Sequence, residues 1–160
     1  MDQQFIETGA SLDLEAFKGF ETLFELKLPE DFKNHYLIFN GGCPAIKRFI
    51  YFDNTFIRIN HFFSMRVLKH TSIEMTYIDL AQKQDFLPKG IIPFACEDCG
   101  NMFCISTREE TYNKVYFCDC DRYELGFTDQ HLFLITNTFD EFLAQLTTDK
   151  SSSSNLRILK

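Results

Sequence analysis

The sequence has 160 residues, of which 45% are hydrophobic and 16% aromatic, and its formal net charge is -7. A chain of this length is typical of one domain and buries roughly two-thirds of the surface that its unfolded form exposes. The apolar fraction excludes an intrinsically disordered chain, and nineteen Phe without a Trp predict a core of phenylalanine and aliphatic side chains. The negative charge, without a stripe of Lys and Arg, argues against direct binding of nucleic acid.

The sequence shows no membrane or secretory segment. No apolar stretch approaches the roughly 20 residues that a membrane span needs. Residues 1–15 have neither the basic region nor the hydrophobic segment of a signal peptide. We therefore expect a cytoplasmic protein, in which the six cysteines are reduced thiols or metal ligands rather than a disulfide framework.

Helical spacing of apolar residues predicts two helices near the N-terminus. Across residues 12–26 the apolar side chains recur three or four apart, and Ser11 or Asp13 can cap this helix. A second helix begins near Pro29 and ends at the Asn-Gly-Gly of residues 40–42, where glycine can adopt the left-handed conformation of a C-cap.

Alternating aromatic and branched residues then predict a hairpin over residues 46–59, with its turn at residues 53–54. The remaining predicted elements are a third helix from Ser72 to the Leu87-Pro88 pair, a strand at 132–135, and a final helix at 139–146 that opens with a capping box of Thr138 and Glu141.

Residues 87–121 carry most of the recognisable chemistry. An apolar run at 91–95 leads into a polar corner, and two β-rich segments follow at 102–107 and 114–119. The charged linker between those segments can turn, so we predict a second hairpin. We therefore look for the functional site at this hairpin and its corner.

The cysteines of this region suggest a metal site. Their positions are Cys96, Cys99, Cys118 and Cys120. In an antiparallel hairpin these thiols would gather at one end, where four thiolates could hold a tetrahedral structural zinc. The alternative is free thiols that pack as small hydrophobes, so we expect no cofactor, with one structural zinc as the alternative. A redox role is disfavoured, because the acidic residues at 97 and 98 stabilise the protonated thiols.

Acidic side chains cluster at the same end of the predicted hairpin. They form either a solvated turn, in which one Asp caps backbone amides, or an acidic patch that meets Arg and Lys of a partner. Exposed aromatic residues could anchor an interface beside them; besides two tyrosines of this region, the candidates are Tyr51, Phe62 and Phe63. The predicted partner-binding residues are Glu97, Asp98, Glu109, Glu110, Tyr116, Asp119, Asp121, Tyr123 and Glu124.

The order of these signals over residues 12–146 resembles the SUKH superfamily. This superfamily joins the fungal cell-wall-synthesis regulator domain to bacterial immunity proteins against polymorphic toxins. The matching residues are Phe20-Glu21, Leu28-Pro29-Glu30-Asp31-Phe32-Lys33, Asn40-Gly41-Gly42-Cys43-Pro44, Leu87-Pro88, Ile92-Pro93-Phe94-Ala95, Asp98 with Gly100-Asn101, Phe103-Cys104-Ile105-Ser106, Lys114-Val115-Tyr116-Phe117 with Asp119 and Asp121, and Phe139-Asp140-Glu141-Phe142-Leu143. The four cysteines discussed above depart from the family's usual pattern.

The resemblance implies an α+β fold, with a mixed, largely antiparallel sheet flanked by helices, in a single domain at 12–146. Residues 1–11 are then a loose N-terminus, and the serine-rich residues 147–160 are a disordered tail.

The resemblance further implies a protein-binding role without catalysis. We expect an acidic bacterial immunity protein, a monomer or weak dimer, that neutralises a cognate toxin domain by stoichiometric occlusion. Nucleases are among the candidate toxins. Two alternatives remain open: a non-catalytic adaptor or regulatory domain of the same fold, and a zinc-containing or metal-dependent enzyme.

Overall fold

The computed structural model describes residues 4–67, 71–121 and 129–150, which form one α+β domain. The helices are α1 (Leu14–Phe24), α2 (Glu30–Ile38), α3 (Ile73–Tyr77), which continues as a π-helix at Ile78–Lys83, and α4 (Phe139–Gln145). The strands are β1 (Phe5–Ile6), β2 (Cys43–Pro44), β3 (Arg48–Phe52), β4 (Thr55–Phe62), β5 (Ile91–Glu97), β6 (Met102–Ser106), β7 (Val115–Cys118) and β8 (Leu132–Thr136).

Side-chain caps set where the helices begin. Asp13, and not Ser11, caps α1 by accepting a hydrogen bond from the Ala16 backbone N–H at 2.9 Å. Thr138 caps α4 in the same way through the Glu141 N–H, as the capping box predicted. The third helix is shorter than predicted, because its π-helical continuation ends at Lys83 and not at the Leu87-Pro88 pair.

Strands β3 to β8 form a six-stranded antiparallel sheet in chain order. The predicted first hairpin is β3–β4, and its turn residues Asp53 and Asn54 have φ of 48° and 60°. The sheet is strongly curved, since the Phe52 ring on β3 lies 5.7 Å from the Phe117 ring on β7.

The main core lies on the concave face of this sheet. The ring of Phe142 on α4 lies 5.4 Å from Phe94 and 5.5 Å from Phe103, and Phe32 on α2 lies 6.0 Å from Phe94. Such edge-to-face and tilted ring pairs add to the stabilisation from burial. The abundance of Phe in the sequence is thus used where two helices pack on the sheet.

A smaller cluster covers part of the convex face. Phe86 and Leu87 lie over Ile91, Cys104 and Cys118 there. Successive strand residues point to opposite faces, so β6 contributes alternately to the two clusters.

Hydrogen bonds from polar side chains hold both ends of α2. Asn40, only 3% exposed, donates to the carbonyls of Ala10 and Met65 at 2.8 and 3.0 Å and accepts from the Met65 N–H at 2.7 Å. At the other end, Asp31 accepts from the Asn113 side chain and the Asp140 N–H, both at 3.0 Å. These bonds join α2 to the end of β4, to the β6–β7 loop and to α4.

Both ends of the described chain contact the domain more than the sequence predicted. Instead of being loose, the segment from residue 4 pairs with β2, and the Phe5 ring packs 5.0 Å from Phe62. Of the predicted disordered tail, Thr147 exchanges two backbone hydrogen bonds with Phe49 on the edge of β3. Residues 151–160 lie outside the described residues. No helix within the described ranges is long and apolar enough to cross a membrane.

His35 on α2 makes stability depend on pH. The residue is 8% exposed and packs among aromatic rings. Its Nε2 has no hydrogen-bond partner within the described structure. Burial lowers the pKa of His35 to about 4. Between pH 4 and 6.5 the unfolded chain binds a proton that the native protein does not. The contribution of His35 to the free energy of unfolding is therefore fully present above this window and falls as the pH decreases through it, by about 3 kcal/mol in total.

We expect His35→Leu to lose this contribution, as measured by urea unfolding at pH 7 and pH 4.5. His35→Gln, which keeps a polar side chain without a titrating ring, must lose it as well. An unchanged pH dependence in both variants would contradict the assignment to His35.

Candidate functional site

The β5–β6 turn and the end of β7 lie side by side at one end of the sheet. Met102 pairs with Cys96 on one neighbour and with Cys118 on the other, so the turn at 97–101 lies next to residues 119–121. The Asn101 side-chain oxygen accepts a hydrogen bond from the Cys120 N–H at 2.9 Å and ties these two segments together. We name the carboxylates gathered here the acidic corner: Glu97, Asp98, Asp119 and Asp121.

Two of these carboxylates cap backbone amides. Glu97 accepts a hydrogen bond from the Asn101 N–H at 2.8 Å, and Asp119 accepts one from the Asp121 N–H at 3.1 Å. They hold the turns in place, which is the capping role considered from the sequence. Asp98 and Asp121 are exposed and point their charge toward solvent.

Arg58 on β4 is a member of this site that the sequence did not reveal. Its Nη1 lies 3.5 Å from the Asp98 carboxylate, whose side chain is 49% exposed. The pairing of β4 with β5, in which Ile59 is opposite Glu97, brings Arg58 to the corner. Because exposed ion pairs contribute little free energy, this contact can exchange for a better one.

The other predicted partner-binding residues do not join the corner. Glu109 and Glu110 lie in a 3₁₀ turn between β6 and β7, at the opposite end of the hairpin. Because β6 has five residues, this turn is about 15 Å from the acidic corner. Glu110 contacts Arg108 at 3.4 Å. Tyr116 is partly buried on β7, between the two ends.

Of the remaining candidates, Tyr123 and Glu124 lie outside the described residues. Phe62 and Phe63 are 1% and 5% exposed and belong to the core, so they cannot anchor an interface. Tyr51 is partly exposed.

The four thiols do not gather as the hairpin argument predicted. Cys96 lies on β5, two strands away from Cys118, and Met102 stands between them, so their backbones are about 9–10 Å apart. Cys96 Sγ instead contacts His61 Nδ1 at 3.3 Å, and Cys99 is exposed in the turn. In residues 4–67, 71–121 and 129–150, no three His, Cys, Asp or Glu side chains are grouped to hold a metal ion.

The environment keeps these thiols protonated at neutral pH. Burial raises the pKa of Cys96 to about 11, and the Glu97 carboxylate raises the pKa of Cys99. Hydrogen bonding between thiols raises the pKa of Cys118 and of Cys120. Since the thiolate is the nucleophile, these cysteines are poorly suited to redox or acyl-transfer chemistry.

Cys43 and His61 both line a cleft near the N-terminus. Cys43, His61 and Glu7 border this space of about 290 Å³. Burial and the Glu7 carboxylate raise the pKa of Cys43, while burial lowers the pKa of His61. These two side chains therefore lack the charge distribution of an activated thiolate and imidazolium.

The charge effect at Cys99 can be tested by alkylation. Glu97→Gln removes the negative charge but keeps an oxygen that can accept from the Asn101 N–H. We expect iodoacetamide to modify Cys99 roughly two- to fivefold faster at pH 7.5, the effect of one neighbouring charge in water. Peptide mass spectrometry measures the rate. Glu110→Gln at the hairpin tip should leave it unchanged, and an equal acceleration there would contradict a local effect.

Comparison with protein families extends the structural result. The family model described as SMI1 / KNR4 family (SUKH-1) matches residues 11–145, which include the acidic corner and helices α1 to α4. A search of curated proteins finds no match. Because the family match spans most of the chain and the structure has the α+β fold that the resemblance implied, this chain belongs to the SMI1 / KNR4 family (SUKH-1).

Proposed function

We propose that this protein is an immunity protein that binds a cognate toxin domain and blocks it by covering its surface. The observation that carries the proposal is the acidic corner, in which two turns distant in sequence present carboxylates at one end of the sheet. Family membership supports a protein-binding role of either the immunity or the regulatory kind.

The corner has the properties of a recognition surface for basic groups. Glu97 and Asp119 fix the turns, so Asp98 and Asp121 are held in place before a partner arrives. Such preorganisation lowers the entropic cost of binding. Toxin domains that act on nucleic acid need basic surfaces to contact phosphates, and an acidic surface complements them. A nuclease domain is therefore the partner class that we favour.

We further propose that binding involves no catalysis by this chain. The raised pKa values of Cys96 and Cys99 argue against cysteine chemistry at the corner. Two of the four corner carboxylates are engaged in capping, and this is a structural role. We expect the protein to act in the cytoplasm, where a toxin with an intracellular target would meet it.

The experiment is co-expression with candidate nuclease toxin domains from the genes that neighbour the gene of this chain, with growth rescue and co-elution as readouts. The double variant Asp98→Lys, Asp121→Lys should weaken the complex roughly ten- to hundredfold, because two attractive charges become repulsive. Its free energy of unfolding should change by less than about 0.5 kcal/mol, since both side chains are exposed.

The matched control is Glu109→Lys, Glu110→Lys, which changes the net charge equally at the hairpin tip. We expect this pair to retain affinity and rescue. If only the Glu109→Lys, Glu110→Lys variant loses binding, the interface lies at the hairpin tip and not at the acidic corner. With both proteins folded, absence of both rescue and complex would instead favour the regulatory role, with a cellular protein as the partner.

A further inference from the structure

The convex face of the β3–β4 hairpin carries partly exposed aromatic rings beside the acidic corner. In the β3–β4 register Phe49 is opposite Arg58 and Tyr51 is opposite Phe56, so these four side chains share one face. Tyr51 and Phe56 form a ring pair with centroids 5.0 Å apart. Hydrophobic side chains here lie outside both buried clusters, and the smaller cluster covers only the region further along the sheet.

A groove connects these rings to the corner. It has a volume of about 410 Å³, and its lining includes the rings of Phe49 and Phe56, the carboxylates of Glu97 and Asp98, and the cations of Lys47, Arg58 and Lys150. Aromatic faces and carboxylates are both attractive to cations. The groove thus combines the two kinds of group that recognise Arg and Lys side chains.

The protein's own cations already occupy these positions. Lys150 Nζ lies 4.4 Å from the centroid of the Phe49 ring, and Arg58 Nη1 lies 3.5 Å from Asp98. Both contacts are at the surface, where cation–π pairs and single ion pairs are weak. Neither therefore prevents an incoming cation from taking its place.

We propose that this groove receives a basic segment of the partner, whose Arg or Lys side chains replace Lys150 over Phe49 and compete with Arg58 for Asp98. The proposal rests on the proposed function and specifies its interface. A guanidinium suits the groove best, because its planar face can stack on an aromatic ring such as Phe49 or Phe56, and its N–H groups can bond a carboxylate in pairs.

The segment that carries Lys150 acts as an internal competitor in this arrangement. Thr147 holds it against the edge of β3 through hydrogen bonds of 2.8 and 2.9 Å with Phe49. A partner must displace the Lys150 side chain to reach the ring, so removing that side chain should strengthen binding rather than weaken it. An acidic patch without the aromatic ring would not make the Lys150 side chain a specific competitor in this way.

The test uses fluorescein-labelled hexa-arginine as the probe, with hexa-glutamate as the opposite charge, measured by fluorescence anisotropy at low salt. We expect hexa-arginine to bind and hexa-glutamate not to bind. Asp98→Lys should weaken binding of hexa-arginine more than Glu110→Lys, which changes the net charge equally. Phe56→Leu should weaken the binding of hexa-arginine by about two- to fivefold, the effect of one cation–π contact. The control is Tyr112→Leu, which removes another exposed ring and should have no effect.

The decisive variant is Lys150→Ala, which should increase the affinity for hexa-arginine by about two- to fivefold. The control is Lys18→Ala on α1, which removes the same charge outside the groove and should raise the affinity for hexa-arginine less. The groove is not the binding site if Asp98→Lys and Glu110→Lys change the affinity equally. The same conclusion follows if Lys150→Ala and Lys18→Ala do, or if hexa-glutamate binds preferentially.

These outcomes are separable from those of the co-expression experiment. If toxin rescue persists while Asp98→Lys, Phe56→Leu and Lys150→Ala behave like their controls, the groove proposal fails and the immunity function stands. If hexa-arginine binds with the expected pattern but no toxin is neutralised, the groove stands as a basic-segment site of a regulatory protein.

Discussion

The hydrogen bonds that hold the two ends of α2 determine how the helices and the sheet fit together. At the C-terminal end the Asn40 amide uses both its donor and acceptor groups on backbone atoms from before α1 and after β4. At the N-terminal end Asp31 joins α2 to the β6–β7 loop and to the start of α4. Loss of one partner would leave a buried polar group unsatisfied, and this costs more than the bond contributes when it is made. The aromatic packing between these two points can therefore be extensive without being the feature that fixes orientation.

This fixed frame explains why the acidic corner can be a defined surface although it is made of turns. The residues of the corner lie at or just after the ends of strands β5 and β7, which pair with β6 inside the sheet. Strand β6 is buried on both faces, at Phe103 and at Cys104. Asn101 then fixes the distance between the two turns through its bond to the Cys120 N–H. Binding residues carried on loops but positioned by a rigid scaffold are the usual arrangement for recognition.

Local signals in the sequence were sufficient to predict where the first and last helices begin and where the first hairpin turns. The spacing of apolar residues, the cap at Asp13, the Thr138 capping box and the turn at Asp53 all act within a few residues, and the structure confirms each of them. The relations that define the site act over longer separations. Arg58 and Asp98 are 40 residues apart and meet only because β4 pairs with β5.

The error about the cysteines has the same origin. A single two-stranded hairpin over residues 96–120 would bring the thiols together, but Cys96 belongs to a third strand, β5, where its partner is Met102. An apolar run such as 91–95 gives no indication of which strand it will pair with, and a β-bulge between Pro93 and Ala95 shifts the register further. Family resemblance supplied the order of elements but not these contacts.

The contact between Thr147 and Phe49 links solubility to recognition. An edge strand with open hydrogen-bonding groups invites pairing with another chain, and Thr147 occupies such groups on β3. The same short segment places Lys150 over the ring that lines the groove. A chain shortened at Leu146 would therefore uncover the groove and the strand edge together. A gain in affinity obtained in this way would be accompanied by a tendency to self-associate through the uncovered strand edge.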